Sequence, residues 1–78
     1  MEGMLARLKE VLQTLEQTYS IIWDKKGFHI EQPQYVWVPF SIIESIEDKP
    51  ATVDIWLKTG WVKLWKNQQR IHCGFRAV

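Results

Sequence analysis

His72 and Cys73 stand side by side in a chain with one cysteine and two histidines, which raises the question of a nucleophile and its base. They lie in "RIHCGFRAV", which reads as a β-strand, and adjacent residues on a strand send their side chains to opposite faces. They therefore cannot serve one another. Cys73 alternates with Ile71 and Phe75 and reads as a small core residue. A dyad of Cys73 with His29 would need the fold to join them, and no spacing asks for it. The histidines have no third or fourth ligand at a metal-binding spacing, and a lone cysteine closes no internal disulfide and builds no multi-cysteine zinc site. Glu44, Glu47 and Asp48 read as a solvated edge, and Gly3, Gly27, Gly60 and Gly74 are too scattered for a phosphate-holding loop. The expectation is a protein that is not an enzyme and uses no cofactor or metal.

Binding chemistry is concentrated instead in "VDIWLKTGWVKLWK", Val53 to Lys66, where three of the five tryptophans stand among three lysines. Indoles in such a hairpin can anchor a protein partner, because tryptophan and arginine dominate interface energies. They can also stack the bases of a single-stranded nucleic acid while cations hold its phosphates. The candidate partner-binding set is Trp56, Lys58, Trp61, Lys63, Trp65, Lys66 and Arg70. Residues 51–78 carry five basic residues against Asp54 alone, whereas residues 1–50 carry five against eight acidic ones. That split suits an acidic partner, or two halves that face each other. The net charge of +1 is far below the balance usual for nucleic-acid binders. A small protein-binding module, a regulator or inhibitor, ranks first, nucleic-acid binding second and a structural oligomer subunit third.

Which way the indoles point depends on the hairpin register. A two-residue turn at Thr59-Gly60 puts Val53, Ile55, Leu57, Val62 and Leu64 on one face and Asp54, Trp56, Lys58, Trp61, Lys63 and Trp65 on the other. A three-residue loop, Lys58-Thr59-Gly60, spares Thr59 a positive φ but mixes indoles with aliphatics on both faces. The first parity is preferred because the buried face sets register more strongly than turn chemistry does. In that register Trp56 sits diagonally between the other two indoles and is expected to be the central one. Three indoles offer about 450–750 Å² of buriable surface, worth roughly 11–19 kcal/mol gross. So large a patch needs a cover, either the N-terminal helix or a partner.

The elements that would carry this hairpin follow from periodicity. Leu5, Leu8, Leu12, Leu15 and Tyr19, with Met4 and Val11 beside them, predict one amphipathic helix over residues 3–18, covering a sheet rather than forming a coiled coil. Asp24-Lys25-Lys26-Gly27 predicts a hairpin connection with Gly27 at positive φ, pairing Trp23 with Phe28 and Ile21 with Ile30 on one face. "YVWV" predicts a strand ending at Pro39, and Ser41 with Glu44 predicts a capped helical turn. The hairpin and a last strand complete an α+β fold in which one helix packs on an antiparallel sheet of about five to six strands, divided three and three by the turn near Ser41. The expected core is Leu8, Leu12, Leu15, Ile21, Trp23, Ile30, Val53, Ile55, Val62, Leu64, Cys73 and Phe75.

At 78 residues the chain reads as a single domain, 1–78. It has no apolar run able to cross a bilayer, and "MEGMLARLKEVLQ" is charged where a secretory segment would be apolar. The expectation is a cytoplasmic protein without membrane contact. A domain this small gains stability by pairing with a copy of itself, so a homodimer is expected.

Overall fold

The computed structural model describes residues 2–76. Helix α1 (Glu2–Gln13) is followed by β1 (Ile21–Trp23), β2 (Gly27–Ile30) and β3 (Val36–Pro39), which form an antiparallel sheet in that order. A 3-10 turn at Phe40–Ile42 leads to β4 (Ile43–Asp48), β5 (Thr52–Leu57), β6 (Gly60–Trp65) and β7 (Ile71–Phe75), a second antiparallel sheet in sequential order. The class is α+β, as the periodicities predict. The single sheet of five to six strands is not what forms: seven strands divide into sheets of three and four.

The predicted helical turn forms as the 3-10 turn at Phe40–Ile42, and the extra strand is β4, which follows it directly. Pro39 precedes the 3-10 turn without any side-chain cap, and the Glu44 carboxylate accepts from Arg76 Nη2 at 3.2 Å instead. The pairing of β4 with β5 carries a bulge between Ile43 and Ser45, and the extra residue brings Ile43 and Ile46 to the same inner side. The rest of β4 is exposed and charged, as suits a sheet edge.

Helix α1 buries Leu8, Val11 and Leu12, and Leu15 continues the stripe. The helix ends five residues before the predicted Thr18. The Thr14 hydroxyl donates to Val11 O at 2.7 Å, and the Thr14, Leu15 and Glu16 N–H groups donate to carbonyls three residues back. Short-range bonds from threonine compete with the α-helical ladder and tighten it into turns. These turns place Tyr19 in the core with its hydroxyl 2.7 Å from Trp65 O, 2.9 Å from Gln68 O and 2.8 Å from Arg70 O, while the Arg70 N–H donates to it at 3.1 Å. The single phenolic proton is given to one of the three carbonyls. This group clamps the β6–β7 loop to the chain beyond the helix, joined by Gln69 Nε2 donating to Thr18 O at 2.8 Å. Replacing Tyr19 with Phe is expected to cost about 1–3 kcal/mol, because buried polar groups lose a partner while the ring still packs. A shifted denaturation midpoint at unchanged slope would register it.

The core is the layer between α1, the inner side of the small sheet and the inner side of the large one. It comprises Leu8, Val11, Leu12, Leu15, Tyr19, Phe28, Ile30, Val38, Ile43, Val53, Ile55, Leu57, Val62 and Leu64. Trp23 pairs with Phe28 and Ile21 with Ile30 as expected, and both Trp23 and Ile21 pack half-buried against this layer. Gly27 is not at positive φ; a Cβ there would run into the Val38 carbonyl and Pro39, so glycine is needed to let β3 approach. Two expected core residues fail. Cys73 is exposed and Phe75 is 91% exposed. They do lie on the inner side of β7, opposite Val62 and Gly60, but β7 is the sheet edge and its cover stops short of them.

Candidate functional site

The hairpin of β5 and β6 turns at Lys58-Thr59, with Leu57 opposite Gly60, Trp56 opposite Trp61 and Ile55 opposite Val62. Face parity is therefore the preferred one, but the pairing is shifted from the expected register by moving the turn one residue back. That shift removes the conflict with turn chemistry, since neither Lys58 nor Thr59 takes a positive φ. The aliphatic face looks into the core and the indoles look outward. The helix covers the aliphatic face and leaves the indoles uncovered.

Strand pairing arranges the outer face in rows. Ser45, Trp56, Trp61 and Gly74 lie directly opposite one another across the four strands. Glu47, Asp54, Lys63 and His72 form the next row, and Thr52 opposes Trp65 in the third. In this register Trp56 is no longer diagonal to both other indoles. Trp56 and Trp61 are instead both flanked in one row, Trp56 by Ser45 and Trp61, and Trp61 by Trp56 and Gly74.

All three indoles are partly buried rather than spread open. Each has its own support. Trp56 Nε1 donates to Glu47 Oε1 at 2.6 Å. Trp61 lies across Gly74, where a Cβ would overlap its ring, and meets His72 edge-on with centroids 6.1 Å apart. Trp65 is overlaid by the Arg70 guanidinium at 4.6 Å and the Lys63 ammonium at 5.8 Å from its ring centroid. The flat surface of Trp65 is thus already in use.

The remaining expected contacts fall apart in an informative way. Lys66 pairs with Asp48 at 2.6 Å. Lys58 sits at the hairpin turn beside an apolar groove of about 660 Å³ between Met4 and Leu5 of α1 and Phe40 and Ile43, not beside the cavity between Trp56 and Trp61. The structure brings Trp56, Trp61 and Lys63 together, with Trp65 and Arg70 adjoining and Lys58 apart. It adds residues that the sequence did not single out as site residues: Glu47, Lys49, Asp54, His72 and Gly74.

Asp54 is the unusual member. It is 2% exposed in the middle of β5, its Oδ2 is 2.9 Å from Lys49 Nζ, and its Oδ1 is buried without a hydrogen-bond partner. The hydrogen bond and charge of Asp54, with the Glu47 charge adding, hold Lys49 above its ordinary lysine value. A buried acceptor left unpaired costs about 1–3 kcal/mol. Asp54 lines a surface cavity of about 320 Å³ together with Lys49, Trp56, Trp61, Lys63 and His72. The sequence carries one signal for it, a charged residue between Val53 and Ile55 in an otherwise apolar strand.

Cys73 and His72 leave β7 on opposite sides, and the Cys73 Sγ lies 3.8 Å from Gln34 Nε2. Partial burial pushes the Cys73 thiol up, away from the reactive thiolate. His29, on the other sheet, lies 3.3 Å from Glu31 Oε2 and 5.3 Å from the Tyr35 ring centre. Among the described residues no group of three or more His, Cys, Asp or Glu side chains is placed to hold a metal ion, and no helix is long and apolar enough to cross a membrane. No protein-family model, characterised protein or solved structure matches the chain.

Proposed function

We propose that this chain is a non-enzymatic protein-binding module, a regulator or inhibitor, that engages its partner through the outer face of the four-stranded sheet. The observation that carries this reading is the set of three partly exposed indoles on the face opposite the core, each fixed by a neighbour. Rigid, half-exposed aromatics bind at low entropic cost. The cations argue against nucleic acid, the second-ranked reading. Lys49, Lys66 and Arg76 are paired with acids, and Lys63 and Arg70 are laid on Trp65, so the face lacks both a free basic stripe and an open stacking platform at that indole.

A photo-cross-linking residue at position 63, introduced in the native cell, is expected to trap a discrete protein that the same residue at Lys25 does not. Lys25 is exposed in the turn between β1 and β2. Oligonucleotide is expected to leave tryptophan fluorescence unchanged. Tight binding whose log K falls with log salt at about −0.7 per phosphate would reverse the ranking. Self-association belongs to the same proposal, since Ile22, Tyr35 and Trp37 remain exposed. Sedimentation at micromolar concentration is expected to give a dimer of the 9.3 kDa chain, and a monomer would remove the homodimer from the proposal.

A further inference from the structure

We propose that the cavity over Asp54 receives an aromatic side chain bearing its own N–H or O–H donor, a tryptophan or tyrosine of the protein partner. This rests on the protein-binding reading above and names the group that the partner must bring. Asp54 Oδ1 is a buried acceptor without a donor, in a residue that lines the cavity. What it lacks is a hydrogen bond and not a counter-charge, because Lys49 already neutralises the carboxylate through Oδ2. Lys63, directly opposite Asp54, is drawn over the Trp65 ring and does not fill the gap.

Charge excludes the obvious alternative. An arginine or lysine entering the cavity would meet both Lys49 and Lys63 in its walls, and like charges at short range oppose it. A neutral donor meets no such opposition. The other walls are the Trp56 and Trp61 indoles, with His72 against the Trp61 edge. Flat π surfaces beside an acceptor suit a ring that packs against them while its polar edge reaches the carboxylate. Tryptophan and tyrosine are the side chains that combine both features, and they are enriched at interface hot spots.

The test uses the whole chain and follows the Trp56 and Trp61 indole signals and the Asp54 amide in proton–nitrogen correlation spectra. N-acetyl-tryptophanamide at millimolar concentration is expected to shift all three saturably. Its 1-methylindole analogue, which lacks the N–H, is expected to bind roughly tenfold more weakly, the value of one hydrogen bond to a charged group. Asp54→Asn is expected to erase that difference; should this variant fail to fold, the comparison of the two probes on the unaltered chain still decides. Equal binding of the methylated probe overturns the proposal. Tighter binding of N-acetyl-argininamide or of guanosine monophosphate overturns it in favour of a cation or a nucleotide. No shift with any probe overturns this inference, while the cross-linking result at position 63 stands or falls separately.

Discussion

Truncation of Leu12 or Ile55 to alanine is expected to lower the unfolding free energy by about 2–5 kcal/mol. Both side chains are fully buried, Leu12 on the helix and Ile55 on β5 opposite Val62. Each deletion forfeits apolar area that folding takes out of water and leaves a void that a close-packed layer refills only in part. A single core in a chain of this size supplies about 3–5 kcal/mol, so either variant is expected to be substantially unfolded at room temperature. Urea denaturation followed by tryptophan fluorescence measures the loss. Phe75→Ala is the internal contrast, expected to stay within about 0.5 kcal/mol because its ring is solvated. An unchanged midpoint for Leu12→Ala and Ile55→Ala together would contradict the core assignment.

The second large effect is on binding. Trp61→Ala is expected to weaken the cross-linked partner's affinity by about 2–4 kcal/mol while changing the salt dependence little. Trp56→Ala should approach the same loss, because both indoles wall the Asp54 cavity. Trp65→Ala should cost less than about 1 kcal/mol, since Arg70 and Lys63 already cover that ring. Calorimetric titration of the three variants against the purified partner ranks them. A Trp65 effect as large as that of Trp61 would move the interface to the other end of the sheet face.

Local patterns in the chain were sufficient for the helix, the Trp23–Phe28 pairing and the separation of aliphatics from indoles in the hairpin. Each rests on residues close in sequence, where side-chain periodicity alone determines which face is buried. Strand β4 is not legible in the chain because Ser41 and Glu44 imitate a capping box, and the bulge that sets its inner side, Ile43 with Ile46, is defined only against the partner strand. The α-helix was overread for a comparable reason, since Leu15 and Tyr19 keep their apolar stripe while the Thr14 hydroxyl turns the backbone out of α geometry.

Of the candidate site, the sequence by itself favoured three indoles on one face of the hairpin, because only that parity gathers the aliphatics of β5 and β6 on the other. Only the tertiary structure decided what that face is. The register set Trp56 opposite Trp61, Gly74 gave Trp61 a bed on the next strand, and Asp48 took Lys66 out of the basic set. Periodicity predicts which side a residue faces but not what lies over it, which is why Cys73 and Phe75 face inward on an edge strand and are nonetheless wet. Asp54 is the converse case: it faces outward, where a charge belongs, and is buried because Lys49, Trp56, Trp61, Lys63 and His72 close around it, a set spread from Lys49 to His72 that only the paired sheet makes neighbours.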